Sequence, residues 1–214
     1  MRLDAAREAL VALSAALATR DGAVVREAVR RAAAEADPDA AEEVLLQSHL
    51  FVGFPDALTA LALWREASGR PAPAPLGDAC EGWTARGEQV CARVYGANYP
   101  RLRANVAAVQ PEMDRWMVEG GYGRVIGRPG LELATRELCI AGLLAVWNTP
   151  RQLHSHLRGA LNAGASAGEV DAAVEVACGF LDAQAAGRVR SLWGEVRERV
   201  ARNPRPGEND TTVA

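Results

Sequence analysis

The sequence predicts an all-α protein, a helical bundle with two repeated halves packed as a pseudo-dimer. Three observations carry this expectation. Apolar residues recur at helical spacing along the chain, with no convincing apolar–polar alternation to mark a strand. Helix starts and breaks recur at Asp21-Gly22, Asp37-Pro38 and Gly53-Phe54-Pro55. A shift of 129 positions, the step from Trp64 to Trp193, also lays Arg7-Glu8 on Arg136-Glu137 and Phe51 on Phe180. Identities across that shift are few and many are Ala. The matching breaks and the rare Trp carry the repeat.

The first helix is expected from Asp4 to Thr19, where Asp21-Gly22 interrupts it, and the second runs to Ala36. Asp37 followed by Pro38 reads as a cap with proline in the first turn. That helix lasts until Gly53, and Pro55 opens another that ends near Gly69. Residues 70–78, with Pro71, Pro73 and Pro75, form a stiff extended linker. A second helical set follows over about 79–94 and Arg101–Val118. A glycine-rich turn is expected at Gly120-Gly121-Tyr122-Gly123. Helices near 132–147, 150–163, 167–180 and 183–201 complete the set. The chain therefore divides into an N-terminal degenerate repeat (1–69), the linker (70–78), a C-terminal repeat (79–202) and a tail (203–214) expected to be disordered.

Composition removes several functions. The net charge of −3 is too mild to argue for nucleic acid or an anionic membrane as a partner. All the basic residues are arginine. A phosphate-binding loop needs lysine, and so does Schiff-base chemistry with pyridoxal phosphate. No stretch approaches the length of an uncharged apolar span, and the N-terminus begins as a charged amphipathic segment, so a cytoplasmic protein is expected. Cys80, Cys91, Cys139 and Cys178 form no CxxC pair and read as reduced thiols rather than zinc ligands, so no metal site is expected.

Two residues are the best candidates for chemistry. Glu137 shares a helix face with Leu133, Ile140, Ala141 and Leu144, a setting that desolvates a carboxylate and favours proton transfer. A structural ion pair with an arginine is the competing reading. His156 shares its face with Leu153, Ala160 and Gly164 and points inward, although an inward histidine can equally be a satisfied core residue. His154 lies on a different side, so the two do not make a chelating pair. His49 reads as core or interface. Gly121, Gly123 and Gly127 follow a helix and read as a turn rather than a dinucleotide cradle. Ser155 has no nucleophile elbow around it.

The stretch Gly127-Arg128-Pro129-Gly130-Leu131, then Arg136-Glu137-Leu138, then Gln152-Leu153 to His156-Leu157 and Ala160-Leu161-Asn162-Ala163-Gly164 resembles the carboxymuconolactone decarboxylase family. That family lies within the alkylhydroperoxidase D-like superfamily. Upstream, Ala92-Arg93-Val94-Tyr95-Gly96 is similar to the family's N-terminal arm. Glu42 to Gln47 with Val52-Gly53-Phe54-Pro55 looks like the helix and break that close the family domain.

The resemblance implies a cofactor-independent decarboxylase or lactone-type enzyme acting on a small carboxylated ring. His156 and Glu137 would be catalytic, and Arg136, Arg128 and Gln152 would bind substrate. Peroxidase relatives carry a CxxC pair where this chain has Thr149 and Gln152. Their absence disfavours thiol peroxidase chemistry, leaving residual use of Cys139 or Cys178 as one alternative. A non-catalytic scaffold or small-ligand binder of the same fold is the other. Only the second half keeps the pair, since the position matching His156 is Glu27. Because relatives with one core assemble as trimers of dimers, a fused pair implies a homotrimer.

Overall fold

In the computed structural model, residues 2–77 and 79–202 are described; the tail expected to be disordered lies outside them. Asp4 accepts a hydrogen bond from the Arg7 amide at 2.8 Å and so starts α1 (Ala5–Thr19). Asp21 caps α2 (Gly22–Glu35), and Asp37 caps α3 (Pro38–Ser68) with proline in its first turn. Gly53, at φ 81° and ψ 171°, breaks α3 into two arms, as the Gly-x-Pro signal predicts. Residues 70–77 form no regular secondary structure, and α4 (Trp83–Tyr95), α5 (Tyr99–Val109) and α6 (Pro111–Trp116) follow. The remaining helices are α7 (Leu133–Val146), α8 (Pro150–Ala163), α9 (Ala167–Cys178) and α10 (Ala183–Arg202). No strand forms among the described residues.

α1 and α7 lie against each other at the centre, and both are buried almost all round, from Ala9 to Leu17 and from Thr135 to Ala145. A helix apolar on every side has to be a core helix, which accounts for the run of Ala and Leu in each. The 129-position shift carries α1 onto α7, α2 onto α8, and the two arms of α3 onto α9 and α10. Two tryptophans 129 positions apart each donate to a carboxylate. Trp64 donates to Glu42 Oε1 at 3.2 Å, and Trp193 donates to Asp171, the residue 129 positions beyond Glu42. One continuous apolar core runs through both halves, from Leu3 to Val196.

Two expectations change. The glycine-rich segment is no turn: Met117–Ile126 winds on as a π-helix. Its glycines serve close packing. A Cβ on Gly123 would lie 2.0 Å from the Trp83 carbonyl oxygen, and one on Gly87 would lie 2.1 Å from that of Val118. α4 and the π-helix thus touch backbone to backbone, which no side chain would allow. The second change concerns α3, which is long and apolar enough to cross a membrane by length and composition, with a mean hydropathy of 1.3 over 18 residues. Its apolar character has another use here, because Val44, Leu45, Val52, Ala57 and Trp64 face the core.

Candidate functional site

α7 and α8 pack side by side, and each offers one polar group to the seam between them. Glu137 has no exposed surface, and His156 is 7% exposed. His156 Nδ1 lies 2.8 Å from Glu137 Oε2. The pair depends on Gly159, one turn beyond His156 on α8. A Cβ there would sit 2.4 Å from Glu137 Oε2 and 2.7 Å from Val94. Glycine therefore leaves the room in which the carboxylate meets the imidazole. Glu137 Oε1 has no hydrogen-bond partner, which is costly for a buried carboxylate and is the kind of exception found where chemistry is done. With the carboxylate ionised, Nδ1 carries the proton donated to Oε2, and Nε2 is the ring nitrogen left for other work.

The walls come from elements whose role is not readable in the sequence. Phe51, on α3 of the first half, meets the His156 ring edge to face, with centroids 6.2 Å apart. Tyr95 of α4 and Tyr122 of the π-helix meet each other edge to face at 6.1 Å. Burial pushes the Tyr95 phenol up to about 12 and the Tyr122 phenol well above its usual value, and the charge of nearby Glu137 adds to both. Burial likewise pushes the Cys91 thiol up to about 12, with Glu137 again contributing. Tyr95, Tyr122 and Cys91 therefore stay neutral beside Glu137 at ordinary pH. The one available sequence signal was Tyr95, inside the stretch similar to the family's N-terminal arm.

The expected substrate-binding residues fare differently. Arg136 has no exposed surface and does not face the dyad. It donates to Glu43 Oε2 at 2.8 Å, to Gln47 Oε1 at 3.2 Å and to the carbonyls of Leu131, Arg128 and Pro129. Burial lowers its pKa, and the Glu43 carboxylate opposes that shift. A guanidinium so engaged, with no path to solvent, does not fit a role in clasping a substrate carboxylate. Arg128 is bound by two nitrogens to the same Glu43 at 3.0–3.1 Å and lines a different cavity, against α3. Gln152 is exposed one turn before His156 and makes no side-chain hydrogen bond among the described residues.

The thiols are also placed. Cys139 is fully buried, and burial pushes it up to about 12; Cys178 is buried and raised for the same reason. His154 lies outside the dyad, in a shallow cleft with Tyr95 and Arg158, where burial and then Arg158 lower its pKa. His49 turns Nδ1 to the Leu46 carbonyl at 2.5 Å and lies tilted against Phe54, with ring centroids 5.0 Å apart.

Residues 111–193, spanning α6 to α10 and both members of the dyad, match the model of the carboxymuconolactone decarboxylase family. No curated protein matches the chain. With the all-helical architecture and the paired Glu137 and His156 inside it, the segment 111–193 is a carboxymuconolactone decarboxylase family segment.

Proposed function

We propose that this protein is a cofactor-independent acid–base enzyme, a carboxy-lyase acting on a small carboxylated ring. The observation that supports the reading most is the buried 2.8 Å contact between His156 and Glu137. When a ring carboxylate departs as carbon dioxide, the C–C electron pair stays on the ring. A proton from His156 Nε2 then goes to that carbon. Glu137 holds Nδ1, so it orients the ring and stabilises the imidazolium that carries the proton beforehand. Solvent returns the proton to the imidazole afterwards. A lactone isomerisation would use the same dyad with the proton moved between two carbons.

Gln152 is the expected substrate ligand that stays free at this end of α8, and it would meet the substrate's polar edge. The tandem duplication is likewise a proposal, supported by the paired Trp64–Glu42 and Trp193–Asp171 contacts. So are a cytoplasmic location, which four unpaired cysteines suit, and the homotrimer. Sedimentation at the mass of one chain would remove the trimer.

Purified protein incubated with carboxymuconolactone should release carbon dioxide, and His156→Ala should abolish that release. Undiminished turnover in His156→Ala sinks the mechanism. A second reading, a non-catalytic member of the fold, is favoured by one observation: Phe51 covers the imidazole, leaving it 7% exposed. Absence of turnover on carboxymuconolactone and related carboxylated lactones, with His156 unperturbed by them in NMR spectra, would select that reading.

A further inference from the structure

Two irregular segments, each marked by glycine in the sequence, border one further cavity. One is the Gly53 kink, which starts the second arm of α3 and places Phe54, Ala57, Leu58 and Leu61 along one wall. The other is the π-helix, which supplies Arg124 and Val125, with Arg128 just beyond it. Departures from regular backbone geometry gather at binding sites, because they are retained only where they do something. The cavity has a volume of about 190 Å³, room for a single ring or a short chain. His156 is not in its lining.

The charged residues in its lining, Arg124 and Arg128, have one sign. Arg124 has no carboxylate partner among the described residues; its guanidinium lies over the Trp83 ring, 5.2 Å from the centroid. Stacking leaves the N–H edges of a guanidinium free to donate. Arg128 and Arg136 share the single carboxylate of Glu43, so that cluster retains a positive charge beside the cavity. His49 adds a ring whose Nδ1 is already committed to the Leu46 carbonyl, leaving Nε2. An apolar slot with an unpaired arginine at its rim is complementary to a small molecule with an apolar body and one anionic head.

We propose that this cavity between the second arm of α3 and the π-helix binds a small apolar monocarboxylate, with Arg124 taking the carboxylate. The site does not depend on the acid–base reading, because no member of the dyad lines it. Aromatic and short aliphatic acids share this chemistry, and the two are separated by titration.

The full chain is titrated with benzoate, with hexanoate and with the neutral isosteres benzamide and hexanamide, followed by NMR of the Val125 methyl and His49 ring signals. Saturable shifts are expected with at least one acid, with the amides binding about tenfold more weakly or worse. Arg124→Ala should weaken the acid about tenfold, and Arg124→Glu should abolish binding; Arg124 is exposed, so neither change threatens folding. His156→Gln should leave the binding unchanged, whatever its effect on catalysis. Equal affinity for acid and amide, unchanged affinity in Arg124→Ala, or no saturable shift would each overturn the proposal. So would shifts at Val125 that follow protein concentration alone and coincide with a dimer in sedimentation, since a second copy would then occupy the slot.

Discussion

Arg136 and Glu43 form a buried ion pair at 2.8 Å that joins the second half of the chain to the first. Gln47 and three backbone carbonyls take up other guanidinium donors. Arg7, 129 positions earlier, does the reverse: from α1 it crosses to Glu169 of α9. Each half thus sends an arginine from its central helix into the other. Replacing Arg136 by Met leaves Glu43 with Arg128 alone and strips Gln47 of its donor. Loss of one partner from such a pair costs about 3–5 kcal/mol. Urea unfolding of Arg136→Met should show a loss of that order. Arg136→Lys should recover only part of it, because an ammonium cannot reproduce the fork. A loss below 1 kcal/mol would mean that Arg136 is not holding the halves together.

Glu169 makes the opposite crossing sensitive to acid. Burial on its own would raise this carboxyl, but the Ser166 amide and hydroxyl and the Arg7 guanidinium outweigh it and hold the group at about 2. An unfolded glutamate titrates at about 4.3. The folded state therefore binds fewer protons in this window, and the stabilisation is complete above the unfolded value. It should be lost as pH falls from about 4.3 towards about 2. Arg7→Met should shrink the acid-dependent loss measured by denaturant titration at successive pH values. An identical pH profile in that variant would refute the assignment.

Much of the fold was legible because helix grammar is local. Asp4, Asp21, Asp37 and Ser166 each cap a helix that begins where the sequence places it, and the Gly53 break behaves as its φ demands. Glu137 and His156 were legible as inward-facing groups because the periodicity of one helix is enough to show it. What failed was whatever depended on a second element. Arg136 sits beside Glu137 in sequence, and only α3 reveals that it serves Glu43. The glycines at 120–123 signal a turn to any local rule, yet their use lies in the approach of α4. Phe51 is more than a hundred positions from the histidine it covers, and no short-range pattern links them.

Gly159 tests the geometry of the dyad without touching either member. A methyl group at this position would lie 2.4 Å from Glu137 Oε2 and 2.7 Å from Val94, so something must move. Glu137 has no solvent to retreat into. Overpacking of this kind costs about 1–3 kcal/mol. Gly159→Ala should therefore unfold earlier in urea despite the better helix propensity of alanine. Its His156 ring resonances should also move as the contact with Glu137 lengthens. A variant as stable as the parent, with unmoved ring signals, would show that the seam is looser than the distances imply.

The cysteines allow a test of the redox alternative that needs no substrate. A thiol attacks as thiolate, so a peroxidase requires at least one low-pKa, accessible sulfur. Cys91 and Cys139 are fully buried and pushed by burial up to about 12, and Cys178 is buried and raised. Cys80 is exposed and unpaired, in the short 3-10 helix before α4. With a chromogenic disulfide at pH 8, the native protein should release one equivalent quickly, from Cys80, and a Cys80→Ser variant none on that timescale. Denaturant should expose all the rest. Rapid labelling of Cys139 or Cys178 in the native protein, at a rate matching Cys80, would restore thiol chemistry to consideration. Slow labelling, limited by opening of the fold, would remove the thiol alternative.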